Sequence, residues 1–267
     1  MFSLSDKIVW LAAYPKTGST WLRAIIQQLL APGVRGKEAI PSLDQDYPED
    51  APIYNIMGTD AKVLRTHCHP DHRAFKRLAK DRPDDEILGV ITIQRHPLDV
   101  LLSQLNYSFV LEREQWFEHG VVKKVEDIVR DGEINYYIDA FIEADGCPEH
   151  IKRSKSYPGF YSRWQALAPN ARHLNLRYEE MVKDPAIGVE SIQSFLGLPV
   201  ADSFELAAKV EGRTKVNGKF YWRKKAFNYR DLLPEASIRR FEEGYSEGLA
   251  ALGYADEMAG HSTTVEQ

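Results

Sequence analysis

Cysteine is scarce: the 267-residue chain has two, Cys68 and Cys147. Two cysteines cannot build a disulfide framework, so the fold must rest on an apolar core, and the chain reads as one kept reduced in the cytoplasm. No apolar run approaches the roughly 20 residues of a membrane span. The run at residues 8–13 is short and bracketed by Lys7 and Lys16, which fits a buried strand better than a leader peptide. An excess of positive charge is also missing. Lys and Arg total 34 against 39 Asp and Glu, a formal net charge of −5. No global basic field therefore invites nucleic acid or an acidic membrane, and any anion site must be local. The stretch "HCHPDH" (67–72) suggests metal ligands, but Pro70 interrupts it, strand alternation turns Cys68 away, and no second cluster completes a tetrahedron. No metal is expected, and His69 and His72 are read as surface residues.

What remains is an ordinary globular chain, 43% hydrophobic and 27% charged, long enough to bury a substantial core. Residues 7–13 form a continuous apolar strand. Trp21, Leu22, Ile25, Ile26, Leu29 and Leu30 recur with helical period behind it. Residues 31–60, which carry Pro32, Gly33, Pro41, Pro48 and Pro52, read as an irregular excursion. A strand is expected at 61–67, a basic-faced helix at 71–80, and a β-branched central strand at 86–94. A helix with Pro97 in its first turn follows at 96–109. "RHLNLRYEEM" (172–181) reads as another strand leading into a turn or helix, and later helices are closed by glycine. Strands alternating with helices predict an α/β fold with a central parallel β-sheet flanked by helices. One domain is expected over residues 1–258, with 259–267 as a tail. The charged stretch 112–133 reads as a solvated helical cover.

In open α/β sheets ligands gather at the carboxyl ends of the strands. After the first strand stands Tyr14-Pro15-Lys16-Thr17-Gly18-Ser19-Thr20. Gly18 lets backbone amides approach an anion, the helix start favours negative charge, Lys16 adds a cation, and Ser19 and Thr20 add hydroxyls. The bland alternative is a plain connecting loop with a capping hydroxyl. After the second strand stands His67. After the third stands Arg95, with Ser103 eight residues on, about two helical turns. Arginine suits phosphate because its fork donates two parallel hydrogen bonds; its bland alternative is a surface ion pair with Asp99. A triphosphatase loop, GxxxxGK[ST], is missing. The central strand ends in Gln94-Arg95, without the acid that would hold Mg²⁺.

"YPKTGSTW" resembles the 5′-phosphosulfate loop of the cytosolic-type sulfotransferases, and "RHPLDVLLS" resembles their 3′-phosphate segment. "LRTH" resembles the strand end carrying their catalytic histidine, and "LRYEEMVKDP" resembles a further segment whose tyrosine lies near the adenine. The four motifs occur in the family's order. The resemblance implies 3′-phosphoadenosine-5′-phosphosulfate (PAPS) as sulfuryl donor, its product PAP, and a small-molecule hydroxyl acceptor. Lys16, Thr17, Gly18, Ser19 and Thr20 would hold the 5′-phosphosulfate, and Trp21 and Tyr178 would flank the adenine. Arg95 and Ser103 would bind the 3′-phosphate, and His67 would take the acceptor's proton. "FYWRKKAFNYRD" resembles the family's C-terminal Arg-Lys-Gly loop with Lys225 in place of glycine, which implies Arg223 and Lys224 over the 3′-phosphate. Two other readings compete: a P-loop small-molecule kinase, and a non-catalytic nucleotide-binding protein on the same fold.

Overall fold

The computed structural model describes residues 6–34, 38–43, 48–81, 86–111, 123–199, 202–215 and 222–257. Its elements run β1 (Lys7–Ala12), α1 (Ser19–Leu30), β2 (Ile53–Ile56), β3 (Thr59–Thr66), α2 (Arg73–Asp81) and β4 (Glu86–Gln94). Then come α3 (Pro97–Val110), α4 (Val125–Arg130), α5 (Ile134–Glu143), α6 (Ile151–Ser154), α7 (Tyr157–Leu167) and β5 (Arg172–Arg177). The chain ends with α8 (Tyr178–Lys183), α9 (Pro185–Leu196), α10 (Ser203–Lys215), α11 (Asn228–Leu232), α12 (Glu235–Gly244) and α13 (Ser246–Ala251). The described residues form two compact units, one drawn from Met1–Arg95 and Phe160–Lys224, the other from His96–Gly159 and Lys225–Gln267.

The first unit carries the sheet, in the order β2-β3-β1-β4-β5. Its three inner pairings are parallel, and β2 alone runs antiparallel to β3. β1 is central and buried from Ile8 onward, as its unbroken apolar sequence requires of a strand covered on both faces. Val9 and Leu11 face a core shared with Leu22, Ile25 and Ile26 of α1 and Val189 and Ile192 of α9. Trp10 points the opposite way. Its ring lies 4.9 Å from Phe75 of α2 and 5.8 Å from Trp164 of α7. A fully buried side chain of this kind contributes roughly 1.5–3 kcal/mol over its exposed state. Register matters for function: Ala12 pairs with Thr66 on one side and Thr92 on the other. The chain therefore leaves β1, β3 and β4 along one edge of the sheet.

β2 departs from the expected irregular excursion. It is joined to β3 by Met57 and Gly58, both with positive φ (52° and 77°), between the paired Ile56 and Thr59. That is a two-residue primed turn, whose twist matches the strands it joins. The prolines around it obscured the signal.

In the second unit, α5 and α12 pack through Phe141 and Phe241, ring centroids 5.7 Å apart. Arg240 clamps Asp139 with two hydrogen bonds of 2.7 and 2.8 Å. α12 and α13 are separated at Tyr245, whose ring lies against Gly248 and whose hydroxyl donates to Asp145 at 2.7 Å. Of the expected cover at 112–133, residues 112–122 lie outside the described residues. The rest forms α4, tied to its surroundings by Lys123 with Asp131 and Glu133.

Candidate active site

The loop after β1 is built from left-handed backbone. Lys16 has φ 71° and Gly18 φ 110°. Such turns point successive N–H groups into one concavity, a nest for an anion. Lysine adopts this conformation at a cost of about 1–2 kcal/mol, so the surrounding fold must hold it there. Gly18 caps α1, and no side chain caps that helix start. The Gly18 carbonyl accepts from Trp21 and Leu22 N–H at 3.0 and 3.1 Å, so the amides of Ser19 and Thr20 precede the first intrahelical bonds. The first turn of α1 carries no acidic residue to cancel the positive end of its dipole. Ser19 is buried, Thr20 exposed and Lys16 half-buried. Thr17 is wholly buried and donates its hydroxyl hydrogen to the Tyr14 carbonyl at 2.8 Å, closing the loop on itself.

His67 directly follows β3. Its Nδ1 lies 2.6 Å from the Ala13 carbonyl of the β1 edge. A carbonyl only accepts, so Nδ1 donates and the ring's lone pair falls on Nε2. His67 is thereby fastened to the strand from which the lysine loop springs. Two residues earlier stands Arg65, which the sequence reading passed over. Burial, and then the charge of Arg65, push the Arg23 guanidinium of α1 below its ordinary value. Two arginines thus add positive potential in this unit.

Arg95, at the end of β4, is only 5% exposed and so is not a surface residue. Its guanidinium lies 4.2 Å from the centre of the Tyr178 ring at the start of α8. Tyr178 meets Trp21 of α1 edge-to-face, centroids 5.8 Å apart. The Lys224 ammonium lies 4.4 Å from the centre of the Trp21 ring. Four residues from four separate motifs therefore form one alternating ladder, Arg95–Tyr178–Trp21–Lys224. Gly18 sits against it: a Cβ there would lie 2.8 Å from Tyr178 Cδ2. Arg223 is exposed, its guanidinium 5.2 Å from the Trp222 ring centre. Ser103 lies on α3 in the second unit, half-buried.

The remaining histidines correct the sequence reading. His69 is buried and His72 half-buried, where both had been read as surface residues. His72 Nδ1 accepts from Ala74 N–H at 3.2 Å and so caps α2, while Asp71 is bound by Arg163. A short polar motif does not reveal what the fold packs around it. Among the described residues no group of three or more His, Cys, Asp or Glu could hold a metal ion. Among them, too, no helix is long and apolar enough to cross a membrane.

An α/β sheet whose first strand feeds an anion nest, surrounded by lysine and arginine, defines a protein that binds a phosphorylated ligand. Residues 6–253 match the sulfotransferase domain, and the chain belongs to that family. It is 26% identical to an amine sulfotransferase of Oryctolagus cuniculus over 100% of this chain and 78% of the relative. It is 23% identical to sulfotransferase 6B1 of Mus musculus, covering 96% of this chain and 81% of the relative. A mouse sulfotransferase complexed with PAP shares the fold at a TM-score of 0.62 and 16% identity, covering 97% of this chain and 90% of its own.

Proposed function

We propose that this chain transfers the sulfuryl group of PAPS to a hydroxyl of a small-molecule acceptor, in the cytoplasm where its two buried thiols stay reduced. The observation that carries the reading is the 2.6 Å bond from His67 to Ala13, which ties a histidine with its lone pair on Nε2 to the strand bearing the anion loop. The site suits a bis-phosphorylated donor. Lys16, Arg95 and Lys224 are cations on one unit, the α1 amides add donors, and Trp21 and Tyr178 offer aromatic surface for a base.

The residues divide the work. His67 Nε2 takes the acceptor's hydroxyl proton as the oxygen attacks, and holds it until solvent removes it. When bound, PAPS supplies the sulfuryl group, whose bond to the 5′-phosphate oxygen breaks as the new S–O bond forms. Lys16, with the amides of Gly18, Ser19 and Thr20, balances the charge gathering on the departing phosphate. Thr17 shapes the loop through Tyr14 and presents its backbone. Trp21 and Tyr178 contact the adenine. Arg95 and Ser103 bind the 3′-phosphate, with Arg223 and Lys224 closing over it. The acceptor is a compound with a nucleophilic hydroxyl. One relative of this fold, a retinol dehydratase, has been crystallised with androsterone and PAP.

The test is a panel of phenols, alcohols, sugars and amines incubated with PAPS and read by mass spectrometry. A gain of one SO₃ unit on a hydroxyl acceptor, without Mg²⁺, is expected. Turnover of ATP with Mg²⁺ and none of PAPS would return the chain to the kinase reading.

A further inference from the structure

α11 starts without a side-chain cap of its own: its N-cap residue, Phe227, has φ 54° and offers no polar atom. The helix start is satisfied from elsewhere in the same unit. Asp99, in the first turn of α3, accepts from the Tyr229 N–H at Oδ1 (3.0 Å) and from Asn228 Nδ2 at Oδ2 (3.4 Å). Asn228 Nδ2 also donates to the Lys225 carbonyl at 2.6 Å. The His96 ring stacks on Tyr229, centroids 4.3 Å apart and planes 19° off parallel. Asp99, His96, Asn228 and Tyr229 are each no more than 1% exposed. A buried carboxylate held by a helix-start N–H and an amide is a directional tie, not a solvated charge.

The tie joins two particular places in the chain. Asp99 lies four residues after Arg95, in the same "RHPLDV" segment. Lys225 follows directly on Arg223 and Lys224, and Asn228 stands three residues further on. We propose that Asp99 is a positioning residue for the donor's 3′-phosphate: by capping α11 and, through Asn228, fixing the Lys225 carbonyl, it sets where Arg223 and Lys224 stand. The chain itself transmits the constraint, since Lys225 is peptide-bonded to Lys224, whose ammonium lies over Trp21. The substitution of Lys225 for the family's glycine fits this picture. The strap is held by a hydrogen bond to its backbone carbonyl and by the Lys225–Asp231 ion pair, not by a flexible residue.

This inference rests on the PAPS reading, and titration calorimetry of full-length protein with PAP and with AMP separates the two. In the wild type PAP should bind more tightly than AMP; equal binding overturns the donor assignment and this proposal with it. In Asp99→Ala the affinity for PAP should fall about tenfold while that for AMP, which lacks the 3′-phosphate, holds. Asp99→Asn keeps an oxygen for the Tyr229 N–H but sets an NH₂ against Asn228 Nδ2, itself a donor, so its preference should fall between those of the wild type and Asp99→Ala. Adding Lys224→Ala to Asp99→Ala should cost little more than either alone, because both remove the same contact. A wild-type preference that survives Asp99→Ala, equal losses for PAP and AMP, or losses that multiply in the double variant would each overturn the positioning role alone. If Asp99→Ala does not fold, Asn228→Ala breaks the same tie and must show the same selective loss.

Discussion

Gly18→Ala is the substitution for which the structure gives the firmest magnitude. Gly18 has φ 110°, a conformation that L side chains rarely adopt. Forcing alanine into it costs about 1–2 kcal/mol. The new Cβ would also lie 2.8 Å from Tyr178 Cδ2 and 3.2 Å from Ile93 Cδ1. Tyr178 is buried and carries Arg95 on its face, so the ring cannot swing away without breaking the ladder. Overpacking of this kind costs about 1–3 kcal/mol. Together the two effects come to about 2–5 kcal/mol, a fall in Tm of roughly 5–15 °C for a chain this size. Gly33→Ala supplies the control. Gly33 has φ 98° with nothing within 4 Å of its Cβ position, so it should show the backbone cost alone. Thermal melts of both variants, with and without PAP, isolate the crowding. Gly18→Ala should melt well below Gly33→Ala and lose its stabilisation by PAP. If the two melt within about 2 °C of each other and PAP still protects both, the packing of Tyr178 on the loop has been misjudged.

Three further outcomes are expected. Lys16→Ala should reduce turnover by about 10²–10³ while weakening PAP binding far less, because its charge acts on the leaving phosphate; a variant with near wild-type kcat would remove Lys16 from the chemistry. His67→Ala should lose most activity yet still bind PAP in calorimetry. His69→Ala should cost stability instead, since His69 is buried. Burial pushes the Glu149 carboxyl up to about 7, and both of its oxygens are shielded from solvent. The unfolded chain releases that proton first, so this group lowers the stability of the fold as pH rises from about 4.5 to about 7, by roughly 3 kcal/mol in all. Glu149→Gln should therefore melt higher than wild type at pH 8 and close to it at pH 4.5. A pH-independent difference in Tm would remove Glu149 as the cause.

Much of the fold was legible because its determinants are contiguous. The apolar run of β4 coincides with the expected strand residue for residue, Glu86 to Gln94, since a strand buried on both faces needs no partner to be recognised. Pro97 and the glycine after α9 marked helix ends through φ values that only those residues favour. The edge strand β2 was missed because its period is short and prolines crowd it. The burial of His69 was missed because a polar hexapeptide says nothing about what packs on it.

The sequence by itself determined the kinds of groups at the site: an anion loop with lysine, a histidine and an arginine at successive strand ends. Those are local facts, set by residue type and by backbone conformations that glycine permits. Tertiary structure decided which of them meet. The parallel register aligns Ala12, Thr66 and Thr92, and so brings the ends of β1, β3 and β4 to one edge. His67 reaches the Ala13 carbonyl across 54 residues, and Asp99 caps α11 across 130. The ladder of Arg95, Tyr178, Trp21 and Lys224 exists only once four elements have packed. Hydrogen bonds and cation–ring contacts act over a few ångströms. Residues so far apart in the chain acquire them only after hydrophobic burial has fixed the strands and helices that carry them.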